Sequence, residues 1–251
     1  MSNQNIYSRE AILSQIDANE EWDVIVVGGG ATGLGTALDS ATRGYKTLLL
    51  EMADYAKGTS SKSTKLVHGG VRYLAQGDID LVKEALHERG LLAKNAPHLV
   101  KNQSFIIPNY KWWEGMYYTI GLKVYDFLAG KLSLGKSKHI KTKETVSRLS
   151  TLKQEKLKGG VVYQDGQFDD SRLAINVAQS CIEEGATLLN YFKVNGLEKD
   201  EQGNISGVKA TDTETNTEYT FKGKTVVNAT GIFTDEIIQM DNPEARKMVR
   251  P

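Results

Sequence analysis

Three glycines, Gly28, Gly30 and Gly33, stand directly after Val24-Ile-Val-Val27 and before a segment whose Leu34, Leu38 and Ala41 recur at helical spacing. A strand, a glycine turn and a helix at this spacing hold a dinucleotide pyrophosphate on main-chain N–H groups. Gly28 permits the tight turn, Gly30 lets the backbone approach the anion, and Gly33 allows close packing of helix on strand, with Gly29, Ala31 and Thr32 completing the loop. The helix N-terminus then faces the phosphates. Glu51 closes a second apolar run, 46–51, at the usual distance further on. A carboxylate there accepts hydrogen bonds from the adenosine ribose hydroxyls and repels a 2′-phosphate, so NADP is disfavoured. A glycine-rich turn that holds no ligand is the plain alternative.

The elements that position these residues come from a chain of 251 residues, 40% hydrophobic, enough for one large domain or two small ones with a sizeable core. Lys plus Arg and Asp plus Glu stand at 31 each, so no overall field draws the chain to nucleic acid or to an anionic membrane. Cys181 is the only cysteine, which excludes an internal disulfide; beside Ile182, in a helical pattern with Leu173 and Val177, it reads as a buried apolar residue. Residues 1–20 lack a basic start followed by an apolar run, and no stretch approaches the roughly 18 apolar residues of a membrane span. The expected location is cytoplasmic, with peripheral membrane contact left open. No metal site is expected.

Ser8 can cap a helix through about Gln15, and residues 22–51 read as strand, helix, strand. A polar loop, Gly58-Thr-Ser-Ser-Lys-Ser-Thr-Lys65, precedes Leu66-Val-His-Gly-Gly-Val-Arg-Tyr-Leu74 and a helix over 80–95 ended by Pro97. A strand over 103–107 is closed by Pro108, and Trp113, Tyr117, Ile120, Val124 and Leu128 then recur at helical spacing up to Gly130. Residues 131–158 read as a polar surface connection. A strand over 161–163, a helix over 170–184 capped by Asp170, and a strand over 187–194 follow. Hairpins around Gln202-Gly-Asn204 then lead to Ala229-Thr-Gly231. The expected fold class is α/β, a Rossmann-like nucleotide-binding domain with a β-meander plus part of an α+β substrate domain. Its expected division is 1–20 as an N-terminal helix, 21–97 and 159–245 as the two segments of the nucleotide domain, 98–158 as a substrate or cap segment and connection, and 246–251 as the start of a truncated substrate domain.

The inserted Ser/Thr loop and the meander ending in Val226-Val-Asn-Ala-Thr-Gly231 suit a cofactor longer than NAD. The arrangement resembles the glutathione-reductase-like FAD-binding domain of flavin oxidases and dehydrogenases, in which an Ala-Thr-Gly turn returns the chain to the dinucleotide. FAD is therefore favoured. The resemblance narrows at Thr59-Ser-Ser-Lys-Ser-Thr-Lys-Leu-Val-His-Gly-Gly-Val-Arg-Tyr-Leu74, Glu84-Ala-Leu-His-Glu-Arg89, Ala96-Pro-His98 and Tyr163-Gln-Asp-Gly-Gln-Phe-Asp-Asp-Ser-Arg-Leu173. From about residue 20 onward the chain is similar to the FAD-dependent glycerol-3-phosphate dehydrogenase family.

That resemblance implies that Thr59, Ser60 and Ser61 meet the flavin phosphates and ribityl chain, and that Lys65, Leu66, Val67, His68, Gly69 and Gly70 lie along the isoalloxazine ring. Ala229, Thr230 and Gly231 form the return turn. Val194, taken as closing the strand after the Asp170 helix, would lie toward adenine. Arg72 and Tyr73 would bind a three-carbon phosphate substrate, since a guanidinium matches phosphate bidentately. The plain alternatives are a solvated Ser/Thr linker, a structural ion pair for Arg72, and core packing for Tyr73 and Val194. The implied reaction oxidises sn-glycerol 3-phosphate to dihydroxyacetone phosphate: a base takes the C2 hydroxyl proton, hydride leaves C2 for the flavin, and electrons pass to a membrane quinone or to oxygen.

His68 reads as holding its loop by hydrogen bonding, and Asp169 and Asp170 as helix-capping residues, so no catalytic base is assigned. Met248-Val-Arg-Pro251 reads as the approach to a strand. The resemblance implies that a histidine base, further cationic phosphate ligands and flavin contacts lie beyond Pro251, and that these residues alone retain FAD poorly and turn over little. Trp112, Trp113, Tyr117, Tyr118 and Tyr125, interleaved with Lys111, Lys123 and Lys131, suit a membrane headgroup region or a helix packed on the substrate domain. A homodimer stays open. The rival readings are an amino-acid or amine oxidase of the same flavin fold and a non-catalytic nucleotide-binding fragment.

Overall fold

The structure, a computed structural model, describes residues 6–14, 16 and 21–249. In chain order its elements are α1 (Arg9–Ser14), β1 (Glu21–Val27), α2 (Ala31–Thr42), β2 (Thr47–Leu50), β3 (Leu66–Val67), α3 (Val71–Ala75), α4 (Ile79–Asn95), β4 (Val100–Asn109) and α5 (Glu114–Ala129). They continue with β5 (Lys138–Lys141), α6 (Thr142–Arg148), β6 (Gly159–Phe168), α7 (Asp170–Glu183), β7 (Thr187–Leu189), β8 (Phe192–Lys199), β9 (Ile205–Asp212), β10 (Thr217–Asn228) and α8 (Thr234–Asp241). The chain forms two compact units, Met1–Ser63 with Asp170–Pro251, and Thr64–Asp169.

The first unit is built on a six-stranded sheet of order β7-β2-β1-β10-β9-β8. β7, β2, β1 and β10 are parallel, and β10, β9 and β8 form the antiparallel meander. A strand stretch covered on both faces is apolar at successive positions, and Val24–Val27 of β1 and Leu48–Leu50 of β2 obey this. Ile25, Val27, Leu48 and Leu50 join one core with Phe192, Val208 and Phe221. Val26 and Leu49 join another with Leu34 and Ala37 of α2 and Ala174, Ala178 and Cys181 of α7. Cys181 is fully buried, its Sγ 3.4 Å from the Leu34 carbonyl, and burial pushes its thiol up to about 11.

The second unit carries an antiparallel sheet of order β3-β6-β4, with β5 also paired to β6. β3 pairs at one end of β6, Leu66 with Gln167, and β5 at the other, Lys138 with Val162. Val82 and Leu86 of α4 pack against Tyr125 and Ala129 of α5 to form a separate core.

Four expectations change. The units divide at 63/64 and 169/170 rather than at 97/98 and 158/159, because β3 and β4 pair with β6 and carry 64–97 with them. β4 runs through Pro108, which opposes Gly160; β6 is its one strand neighbour among the described residues, and an edge strand tolerates a missing N–H. Residues 131–158 contain β5 and α6, each too short for a periodic signal and each burying one residue, Ile140 and Thr145. Residues 187–194 are two strands, broken at Tyr191, whose φ is 57° and whose N–H donates to the Ala53 carbonyl. Val194 therefore sits inside β8, opposite Ala210, and its side chain lies in the core; the strand-end premise for it is overturned. At α1, Ser8 Oγ accepts the Ala11 N–H at 3.4 Å, and Gln15 lies outside the described residues.

Candidate functional site

In the first unit the strand ends bring three segments together. Gly28 has φ +113°, and a Cβ there would stand 2.5 Å from the Ala229 carbonyl oxygen. The left-handed backbone and the close approach both demand glycine. A Cβ at Gly33 would drive into the Gly28 carbonyl oxygen, so helix and turn touch main chain to main chain. Ala229 N–H donates to the Val27 carbonyl at 2.8 Å, and Thr230 Oγ1 donates to Asn228 Oδ1 at 2.7 Å. Gly231 follows at φ 58°. Thr59, Ser60 and Ser61 form one short 3-10 turn, and Ser60 Oγ accepts the Ala31 N–H at 2.8 Å. The helix start is otherwise uncapped by side chains at Gly30. Exposed Ala31 and Thr32 open that helix.

Glu51 follows β2 and does a job the sequence does not announce. Its Oε2 accepts the Gly29 N–H at 2.6 Å and its Oε1 the Ala53 N–H at 2.9 Å, so the carboxylate braces the glycine turn. A carboxylate has about four lone-pair directions, which leaves acceptors for a ribose. Asp170, at the start of α7, accepts the Ser171 N–H at 2.9 Å and the Ser63 N–H at 3.2 Å. It thus ties down the end of the Ser/Thr loop as well as the helix start.

In the second unit β3 delivers Leu66 and Val67 to a tight turn. His68 Nδ1 accepts the Gly70 N–H at 3.1 Å, and Gly70, at φ 70°, begins α3. Lys65 is left-handed at φ 61° and its carbonyl accepts the Phe168 N–H. A pocket of about 510 Å³ opens here, lined by His68, Arg72, Tyr73, Phe105, Tyr163 and Asp165 among others. Phe105 and Tyr163 stack at 5.4 Å. Burial and the nearby Asp165 raise the Tyr163 phenol above its usual range, while Arg72 pulls it the other way. The pocket thus combines a guanidinium, two phenols and an aromatic wall.

Three residues of this unit carry a role not assigned from sequence. Arg89 and Asp165 are almost fully buried and paired at 2.9 Å, and the Tyr125 hydroxyl donates to Asp165 at 3.0 Å. Burial, with Asp165 next, holds the Tyr125 phenol far above its usual range. The available signal is Arg89 itself, which continues the buried Val82 and Leu86 stripe of α4. Tyr125 is therefore withdrawn from the aromatic block suited to a membrane. Trp112, Met116, Tyr117, Ile120 and Phe127 remain exposed at and along α5.

Among the described residues no helix is long and apolar enough to cross a membrane. Residues 23–251 match the model of the FAD dependent oxidoreductase family. The chain is 46% identical over 245 residues to a mitochondrial glycerol-3-phosphate dehydrogenase of Saccharomyces cerevisiae, covering 94% of this chain and 38% of that protein. It is 44% identical over 241 residues to the corresponding protein of Schizosaccharomyces pombe, covering 93% of this chain and 37% of that one. It spans little more than a third of these relatives. A solved glycerol-3-phosphate dehydrogenase from Bacillus halodurans, complexed with FAD, superposes with a TM-score of 0.72 at 32% identity, over 95% of this chain and 40% of that one. With the family match extending over nearly the whole chain and the glycine turn, braced acid and return turn in register, the chain belongs to the FAD dependent oxidoreductase family.

Proposed function

We propose that this chain serves an FAD-dependent oxidation of sn-glycerol 3-phosphate to dihydroxyacetone phosphate. The observation that carries the reading is the second unit's pocket, where Arg72 and Tyr73 of one short helix share a lining with His68 and Tyr163. A guanidinium fork binds phosphate oxygens in pairs, and a phenol orients a neighbouring hydroxyl. The identity to glycerol-3-phosphate dehydrogenases supports the same substrate.

The first unit's residues fit the cofactor. Gly28 and Gly33 carry no Cβ where one would meet the neighbouring main chain, so turn, helix and return turn pack backbone to backbone, and the N-terminus of α2 adds a favourable dipole for a pyrophosphate. Glu51 takes the ribose, and Thr59, Ser60, Ser61, Ala229, Thr230 and Gly231 surround the phosphates and ribityl chain. By the family resemblance, Lys65 to Gly70 would supply main-chain groups along the ring. FAD, when bound, supplies the acceptor for the hydride of substrate C2. His68 Nδ1 is engaged by Gly70 and Asp165 by four donors, so neither is assigned as the base.

Electrons pass on to a membrane quinone or to oxygen, at the cytoplasmic face of a membrane that the exposed α5 ridge meets. Trp112 and Phe127 are 86% and 84% exposed, with Lys111, Lys123 and Lys131 exposed beside them, the pairing of rings and cations that headgroups favour.

Adding substrate without oxygen to an FAD-loaded protein extended to the length of its relatives tests the reading. Glycerol 3-phosphate should bleach the flavin absorbance and glycerol should not, with the response weakened at least tenfold in Arg72→Ala, the cost of one charge-assisted contact. Bleaching by an L-amino acid in place of glycerol 3-phosphate would transfer the protein to the amine-oxidase reading.

A further inference from the structure

Arg89 and Asp165 are the buried charged side chains of the second unit among the described residues. A buried ion pair is a weak source of stability, because desolvation offsets the attraction and a well-packed apolar pair often serves as well. An apolar pair cannot accept hydrogen bonds, and that is what Asp165 does. Its Oδ1 accepts Arg89 Nη1 at 2.9 Å, the Gly69 N–H at 3.3 Å and its neighbour Gly166 N–H at 3.3 Å. Its Oδ2 accepts the Tyr125 hydroxyl at 3.0 Å. The Arg89 guanidinium lies 5.8 Å from the centroid of the Tyr125 ring, so cation, phenol and carboxylate brace one another.

The amide they hold is a sensitive one. A Cβ at Gly69 would drive into Leu86 of α4 and the Tyr125 hydroxyl of α5, so the backbone here runs hard against both helices. The next residue, Gly70, turns left-handed and starts α3, which carries Arg72 and Tyr73 onto the pocket. An error of direction at Gly69 is therefore passed directly to the two side chains that meet the ligand. Asp165 itself lines the pocket, but its oxygens are taken by donors from α4, α5 and the turn.

We propose that Asp165 is a positioning residue: its carboxylate, balanced by Arg89 and steadied by Tyr125, fixes the Gly69 amide and with it the aim of Arg72 and Tyr73. The inference deepens the proposed function but rests on it only where turnover is measured.

Two double variants separate this role from mere support of the fold. Arg89→Met with Asp165→Asn removes both buried charges and keeps an acceptor at 165; Arg89→Met with Asp165→Leu removes both charges and the acceptor. Exchange of the Gly69 amide, followed by NMR in ligand-free protein labelled with 15N-glycine, should be about tenfold faster in the leucine pair than in the asparagine pair at equal thermal midpoint. Equal exchange in the two pairs overturns the proposal, as does wild-type Gly69 exchanging like an unprotected amide. If either pair does not fold, Tyr125→Phe decides: it removes one donor without a charge, and Gly69 exchange should rise about threefold, no change counting against the role. In flavin-loaded protein extended to the length of its relatives, the KM for glycerol 3-phosphate should rise about tenfold in the leucine pair and be rescued in the asparagine pair, as loss of one oriented contact implies. Absence of turnover in the wild type at that length refutes the proposed reaction and leaves the exchange result to decide the positioning role.

Discussion

The two units build their sites from opposite materials. In the first, Gly28, Gly33 and Ala229 bring main chain against main chain, and the acids Glu51 and Asp170 serve by bonding backbone amides. In the second, Arg89, Tyr125 and Asp165 bring a buried charge network to bear on a single amide. The first arrangement fails when any atom is added, the second when a partner is removed. A site made of backbone is protected by steric exclusion, and a site made of charge by mutual compensation.

The largest effect should come from breaking compensation. Arg89→Met strands a buried carboxylate and should lower stability by about 4 kcal/mol, read as a shift in the urea midpoint. A midpoint within error of wild type would mean the pair is not buried in solution. Gly33→Ala attacks the other arrangement and should cost about 3 kcal/mol, since the added methyl meets a carbonyl that cannot move without opening the turn. A tolerated alanine would erase the contrast between the units.

A smaller effect is a matter of pH. The Cys181 thiol is raised from 9.0 to about 11 by burial. The unfolded chain therefore loses that proton first, and the stability it represents is complete below pH 9 and lost as pH climbs toward 11. Urea melts at pH 8 and pH 10.5 should show a steeper decline in wild type than in Cys181→Ala; parallel declines would locate the alkaline loss elsewhere. Least of all, Trp112→Ser and Phe127→Ser should each change stability by under about 0.5 kcal/mol, because neither ring is packed. The same pair should weaken co-sedimentation with anionic vesicles, and unchanged vesicle binding would remove α5 from the proposed membrane contact.

What could be read from the chain follows the same division. Gly28 and Gly33 are legible because a backbone constraint excludes other residue types, leaving a local mark. The apolar runs of β1 and β2 are legible for a similar reason, being buried on both faces. Arg89 and Asp165 are 76 residues apart, and Tyr125 and Asp165 are 40 apart, so no spacing rule joins them. β5 and α6 are hidden because elements of 4 and 7 residues with one buried side chain each have no period to detect. Val194 is misread because a left-handed tyrosine precedes it, a conformation that sequence patterns for strands do not anticipate.

Pro108 adds a consequence for association. β4 is bonded along its length to β6, and on its other side it has no strand neighbour among the described residues. A strand in that position is a template on which another chain can lengthen the sheet. Proline lacks the N–H needed to complete such a ladder, and four residues before it Ser104 starts an exposed polar stretch running back to Lys101. The same residue that a pattern reader takes as the end of a strand thus lets the strand continue while discouraging a second molecule from joining it.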